Sequence, residues 1–419
     1  MASSRSGFAQ AIEAIGYADY RRFASSLLLT SLGAQLIQTV VFWQAYELTG
    51  SAFIIGLTGV ARAIPHIILS MAGGVIADRT NRVRLIQTGQ IANAILVVVI
   101  GLLTVTGHVQ LWHVFAVTVL NSGFTAVTQP ARTALIPHLV PAGNLVNAVA
   151  LNATISQVSQ IVGPALAGIA IASLDTGAAY LINGALYFAA MLSIFGIRAQ
   201  ARPEPSDDSP WESFLEGMRF VFQKRVILSL LALDFAQTVF GSYRALLPII
   251  ATSLGVGAAG YGLLSGAPGI GAVLGAAVIL GLGDMRYKGL YTIFGVLAYC
   301  GSVILLAVSP WFALALVGAA LTGAMNSVQV IPRNSAILTL SPDALRGRVE
   351  AFRSMLAGGG PPIGYTASGA LAAAIGVPLA LVVGSITCVV VVAGIGLTRR
   401  DLRDPDLGAR VEEPAASRG

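Results

Sequence analysis

Four ionisable residues stand within or at the end of long apolar runs, where charge is costly. Arg62 interrupts the run from Ala52 to Ala77, Asp234 and Arg244 lie within Val226 to Leu254, and Glu47 ends the run that starts at Phe23. A central arginine or aspartate costs about 2.5 to 3.5 kcal/mol on insertion scales, so such groups face water, a partner or a ligand. Arg62 or Arg244 could attract an anionic group on a substrate, and Asp234 could take up and release a proton if burial or a nearby arginine shifts its affinity. The competing reading is structural, with Arg62 or Arg244 paired to Asp234 or Glu47. Asp234 and Arg244 are ten residues apart, or roughly 15 Å along a continuous helix, so they are not each other's partners. Glu47, at the outer end of its run, suits anchoring better than ligand binding.

Gln35, Gln38, Trp43 and Gln44, with Tyr46, mark the first apolar run as a wall for a partly aromatic, polar ligand. Aromatic residues near a membrane interface are also ordinary anchors. Gly281, Leu282, Gly283 and Asp284 spell the string found in intramembrane aspartyl proteases. That chemistry needs two carboxylates sharing a site. The one other deep carboxylate is Asp234, and Asp284 sits beside Arg286 and Lys288, so an enzyme is not expected. Cys300 and Cys388 fall in apolar runs with no metal or disulfide spacing. Neither a metal nor a cofactor is expected.

The elements that carry these residues are spans. The chain is 55% hydrophobic and only 11% charged over 419 residues, with a mean hydropathy of +0.78, which excludes an ordinary soluble domain. A span needs roughly 20 apolar residues. Runs from Phe23 to Glu47, Ala52 to Ala77, Leu85 to Thr106, Leu111 to Thr128, Leu145 to Ser173 and Ala178 to Ile197 give six. Val226 to Leu254, Tyr261 to Leu282, Leu290 to Val308, Trp311 to Ile331, Val349 to Ala374 and Val377 to Leu397 give six more. The expected fold is therefore an all-α membrane protein of twelve transmembrane helices in two six-helix bundles. The expected division is 1–22 as a cytoplasmic N-terminus without a signal peptide, 23–197 and 226–398 as bundles, 198–225 as a linker, and 399–419 as a cytoplasmic tail.

Charge then orients the chain. Arg79, Arg82, Arg84, Arg132, Arg202, Lys224, Arg286, Lys288, Arg346, Arg348, Arg399 and Arg400 all fall in loops or ends of one parity, while the loops around Gly50, His108, Asp175, Gly257, Pro310 and Gly376 carry no Lys or Arg. The first set is expected in the cytoplasm, with both termini, in an inner (plasma) membrane. The positive charge is thereby assigned to topology, and nucleic acid is not an expected partner.

In the linker, Pro203 to Asp208 is polar and expected to be flexible. Ser209, Pro210 and Glu212 match a capping box, and Trp211, Phe214, Leu215, Met218 and Phe222 share a face, so a helix is expected to lie in the inner headgroup layer. The halves also repeat. A shift of 201 positions places Arg132 on Arg333, Pro141 on Pro342, Gly163 on Gly364 and Gly168 on Gly369. Parallel repeats of this kind surround a central cavity and work by rocking of one bundle against the other.

After the second span, Gly74, Asp78, Arg79, Arg82 and Arg84 stand in a pattern of glycine, acidic-basic pair and two further basic residues. A carboxylate at a helix end can accept hydrogen bonds from arginines and a neighbouring helix N-terminus, latching a cytoplasmic face. This stretch resembles the loop signature of the major facilitator superfamily, with Asn81 where glycine is usual. Pro342, Asp343, Arg346, Gly347, Arg348 and Glu350 resemble the second-half loop of the branch that includes siderophore and macrolide exporters, as do Gln129, Pro130, Arg132, Leu135, Ile136 and Pro137. Gly163, Pro164 and Gly168 resemble the superfamily's antiporter signature, with Ser159 and Ala167 in place of glycines. The fourth span departs from the proton antiporters in lacking their arginine, with Val119 ahead of Asn121 and Gly123. The resemblance implies a monomeric exporter of a small amphipathic molecule, a siderophore, drug or metabolite, driven by proton antiport. A lipid or glycolipid exporter, and an importer on the same scaffold, remain the alternatives.

Overall fold

A computed structural model describes residues 14–197, 210–283, 285–342, 345–405 and 407. Among them every long element is an α-helix and there is no strand. The order is α1 (Ala18–Thr49), α2 (Ala52–Arg79), α3 (Arg82–Val105), α4 (Leu111–Leu135), α5 (Leu145–Ser173), α6 (Thr176–Ile194), α7 (Pro210–Gln223), α8 (Arg225–Phe240), α9 (Leu247–Ser253), α10 (Gly257–Gly281), α11 (Lys288–Val308), α12 (Phe312–Leu340), α13 (Arg346–Ile375) and α14 (Val377–Thr398). Eleven helical stretches among the described residues are long and apolar enough to cross a membrane. Helix α13 is 30 residues long but is not one of the eleven.

Boundaries follow local chemistry. The Ser51 hydroxyl accepts from the Ile54 amide at the start of α2, and the Asp175 carboxylate accepts from the Ala178 amide at the start of α6 at 2.6 Å. Gly50 ends α1 at φ +62°, the left-handed conformation that a side chain disfavours. Corresponding helices of the two halves begin 201 residues apart: Leu111 with Phe312, Leu145 with Arg346 and Thr176 with Val377.

The chain forms two compact units. Unit 1 comprises Met1–Ile54, Val60–Pro205 and Gly255–Gly266, and unit 2 comprises Ile55–Gly59, Ser206–Leu254 and Ala267–Gly419. Each unit thus includes a short piece from the other half of the sequence, and glycines make the seats. In unit 1, Gly262 of α10 lies against the backbone of Gly168 in α5. In unit 2, Gly56 and Gly59 lie against the backbone of Tyr365 and Pro362 in α13. A Cβ on any of these would meet backbone, which cannot move aside as a side chain can. Core packing includes Tyr20, Phe23, Ile86, Leu135 and Ile194 in unit 1, and Leu230, Leu233, Val296, Ile337 and Val392 in unit 2.

Three expectations change. The span from Val226 to Leu254 is not continuous: α8 ends at Phe240, and a 3-10 turn, Arg244–Leu246, leads into the short α9. Pro248, in the first turn of α9, has no amide hydrogen to give to the Arg244 carbonyl, so an unbroken helix would lose that bond. The freed Gly241 carbonyl accepts from the Tyr299 hydroxyl at 3.2 Å. Second, Arg132 is not in a loop, because α4 runs through Pro130 to Leu135 and buries it at 6% exposure. Third, α7 packs against the rest of unit 2. Gly217 abuts the Arg348 backbone, Val221 is fully buried in the unit 2 core, and Phe222 and Phe352 pack with ring centroids 6.2 Å apart. The capping-box residue Ser209 lies outside the described residues.

Candidate functional site

In unit 2, the Asp234 carboxylate of α8 forms an ion pair with the Arg333 guanidinium of α12. Arg333 is 2% exposed, and Gln329 adds a hydrogen bond from its amide nitrogen to the same Asp234 oxygen at 3.2 Å. Arg333 also donates to the Asn334 side-chain oxygen at 3.2 and 3.3 Å. Helix geometry permits this set: Gln329, Arg333 and Asn334 occupy adjacent turns of α12. Glu350 and Arg353, paired on the first turns of α13, lie within electrostatic reach of Arg333. The carboxylate is therefore held by charge and by hydrogen bonds, as burial in a membrane protein demands.

Arg244 lies at the break after α8, within electrostatic reach of Tyr243, Tyr299 and Tyr365. The Tyr243 and Thr322 hydroxyls are 2.6 Å apart. Among the described residues, Arg244 has no carboxylate partner. The helix break is what presents this half-buried guanidinium among phenols, in the manner of discontinuous helices at transporter sites.

In unit 1, Arg62 of α2 is half-buried, and among the described residues it too lacks a carboxylate partner. The Ser122 hydroxyl donates to its backbone carbonyl at 2.7 Å, tying α4 to α2. Its guanidinium acts electrostatically on His66 and Tyr187. Neither Arg62 nor Arg244 is paired with Asp234 or Glu47. Glu47 instead accepts from the Trp43 indole and the Thr176 hydroxyl, each at 2.7 Å.

The polar face expected of α1 divides. Gln44 is 1% exposed and fully used inside the unit: its oxygen accepts from the Tyr180 hydroxyl at 2.7 Å and its nitrogen donates to the Thr104 hydroxyl at 2.8 Å. Trp43 is 8% exposed and stacks on Tyr261, with centroids 5.5 Å apart. Gln35 and Gln38 are half-buried. Gln35 packs its Cβ against Gly163, so the glycine of the Gly163, Pro164, Gly168 motif admits α1, and Gly168 admits α10. Pro164 lies inside an unbroken α5.

Of the residues expected to form a cytoplasmic latch, the Asp78 side chain and Asp343 lie outside the described residues. Arg82 donates to the Ala134 carbonyl at 3.1 Å and contacts a His138 ring nitrogen at 3.2 Å. Asn81, the departure from the facilitator pattern, caps α3 by accepting from the Arg84 amide at 3.1 Å. Arg79 and Arg84 are exposed, and Gly74 has open space at its Cα. Arg346 donates to the Leu338 carbonyl at 3.3 Å, and Arg348 pairs with Glu216 of α7.

Asp234 stands out in the sequence while its partner Arg333 does not, and Arg132 reads there as a loop charge. The signal was present: Arg132 and Arg333 are themselves a repeat pair, each two residues or fewer after a proline within an apolar helix.

Comparison with known proteins accords with this architecture. Enterobactin exporter EntS of Shigella boydii serotype 18 is 25% identical over 360 residues, 84% of this chain and 83% of that protein. EntS of Escherichia coli O127:H6 matches to the same extent. Among solved structures, a bacterial homologue of the human lysosomal transporter Spinster, in an inward-facing and unoccupied conformation, superposes with a TM-score of 0.74 at 16% identity, covering 91% of this chain and 96% of that one. The nucleoside transporter NupG superposes at 0.73 with 15% identity, covering 91% and 98%. A family model described as transmembrane secretion effector matches residues 19–414. The chain is therefore a multi-pass membrane protein of the transmembrane secretion effector family, within the major facilitator superfamily of transporters.

Proposed function

We propose that this protein exports a small amphipathic molecule across the inner membrane by alternating access, with proton antiport. The reading takes α13 as a twelfth span, both termini as cytoplasmic, residues 23–197 and 226–398 as the two bundles, and a single copy as the working form. The observation that carries it is the pairing of the half-buried Asp234 with the buried Arg333 in a chain whose family is described by secretion. Protonation of Asp234 removes the negative partner and leaves Arg333 needing another, so proton binding changes what the surrounding helices must satisfy. A device of this kind couples a gradient to a conformational change when the two states differ in their affinity for the proton. Arg62 and Arg244 receive an acidic or electron-rich group of the cargo. The relatives named as enterobactin exporters favour a siderophore, with drugs and other metabolites as the wider class.

The experiment compares spent medium and cell extract, with and without the gene, under iron-replete and iron-limited growth, by mass spectrometry. An iron-responsive chelator retained in cells of the deletion strain supports siderophore export. Identical metabolite profiles in both strains and both conditions count against it. Importers share the fold, among them a D-xylose-proton symporter with a TM-score of 0.69 at 14% identity. Inward accumulation of a compound by the wild-type strain reverses the assigned direction.

A further inference from the structure

Among the described residues, Arg132 is the most deeply buried cation in unit 1 that the proposed transport cycle does not use. It is 94% buried, and α4 directs side chains toward its N-terminus, away from the cytoplasmic end at Leu135. Its Nη2 donates to the Thr30 hydroxyl at 3.3 Å, but its Nη1 has no hydrogen-bond partner. The Gln90 side-chain oxygen near the same hydroxyl is also unpartnered, yet a neutral amide cannot balance a charge. Tyr187, 1% exposed, lies in the field of both Arg132 and Arg62 and is contacted at its hydroxyl by the Asn121 amide at 3.4 Å. Arg132 and Arg62 thus both act electrostatically on one buried phenol, and among the described residues neither has a carboxylate partner.

The second half solves the same problem internally. Arg333 is the repeat counterpart of Arg132, and Asp234 neutralises it. The position matching Asp234 in the first half can be found through contacts. Gly163 and Gly364 are counterparts; Gly163 abuts the Leu32 carbonyl and Gly364 abuts the Thr238 carbonyl. Leu32 therefore corresponds to Thr238, and Leu28 to Asp234. Leu28 is half-buried two residues before Thr30, the residue that Arg132 reaches. One half carries arginine with its carboxylate, and the other carries arginine opposite leucine. A buried cation without a counter-ion is destabilising by several kcal/mol, and it persists where a ligand supplies the charge.

We infer that Arg132 and Arg62, with Tyr187 and Asn121, form a subsite in unit 1 for an anionic group of the transported molecule. A carboxylate or comparably small oxyanion bound at Arg132 Nη1 takes the role that Asp234 plays for Arg333. This assignment rests on the transport reading and sharpens its substrate class from amphipathic to acidic. Arg62 and Asn121, both half-buried, form the accessible side of the subsite, and Arg132 closes its buried end. Arginine suits this role because its planar fork offers two parallel donors to one carboxylate.

The test uses the full-length protein in lipid nanodiscs and calorimetric titration with 1-naphthoate and its uncharged isostere 1-naphthamide. The wild type should bind the carboxylate at least tenfold more tightly. Arg132→Gln should bring it to the level of the amide, and Leu28→Asp should do the same by supplying an internal carboxylate. Arg62→Gln should retain part of the preference, and Arg132→Lys should retain a severalfold one. Unchanged naphthamide binding in each variant reports an intact pocket. If Arg132→Gln loses both ligands, the Leu28→Asp and Arg62→Gln results decide. No naphthoate binding by the wild type, equal wild-type affinities, or a preference that survives in Arg132→Gln overturns the assignment. The assay needs no gradient and no direction. An anion-selective pocket in a chain that moves nothing outward would sink the export reading alone, and export confined to uncharged compounds would sink this one.

Discussion

The Asp234 carboxylate and the Arg333 guanidinium, ninety-nine positions apart in sequence, meet as an ion pair between α8 and α12 of unit 2. Removing one partner leaves the other buried and unbalanced, at a cost of about 3–5 kcal/mol. Arg333→Gln should therefore destabilise purified protein by roughly that amount in thermal unfolding. The double variant Asp234→Asn with Arg333→Gln should recover much of the loss. A double-mutant cycle with no coupling between the two sites would remove the pair from the stability of unit 2.

Asp234→Asn alone should still reach the membrane, at the stability cost of an unbalanced Arg333, while losing gradient-driven transport, because asparagine keeps the shape of the side chain but not its charge. Transport by reconstituted vesicles with an imposed pH gradient reads this directly. Full activity of the variant would take Asp234 out of the coupling step.

Gln44 has both ends of its amide engaged, with Tyr180 and Thr104. Tyr180→Phe leaves the Gln44 oxygen buried without a donor, which should cost about 1–3 kcal/mol. The readout is the unfolding midpoint in detergent, with ligand affinity unchanged. A loss of affinity without a loss of stability would return Gln44 to the ligand site.

Asn81 caps α3 where the family pattern has glycine. Asn81→Ala should lower stability by about 1 kcal/mol, while Asn81→Gly should cost only a few tenths. Comparable losses in the two variants would show that the cap is not what the position contributes.

Gly168 and Gly262 meet backbone to backbone in unit 1. Gly168→Leu should abolish transport while the protein still reaches the membrane, and Gly168→Ala should cause a smaller loss. Transport by Gly168→Leu at the wild-type rate would mean that the contact is incidental.

Much of this architecture is legible in the sequence because the bilayer imposes strict local rules. Apolar length defines spans, caps and glycines end them, and the repeat is visible in four matched positions, so most helices from α1 to α6 and α10 to α14 stand close to where hydropathy placed them, while α4 and α12 run on past the expected ends at Thr128 and Ile331 to Leu135 and Leu340. The break after α8 was hidden because Pro248 and Gly241 are tolerated in membrane helices, and their effect depends on what accepts the freed backbone groups. Tyr299 does so from another helix, which no local pattern records.

The charges divide in the same way. Sequence alone identified Asp234, Arg62 and Arg244 as expensive residues that need a reason, since the cost of burial depends on residue type and depth. Which of them is paired was decided by helix packing. Asp234 reaches Arg333 across α8 and α12, and Arg132 moves from the loops into the core because α4 continues past Pro130. Ion pairing acts over a few ångströms between helices far apart in the chain. The sequence states how many charges the membrane must accommodate, and only the folded packing determines which are neutralised and which remain open to a ligand.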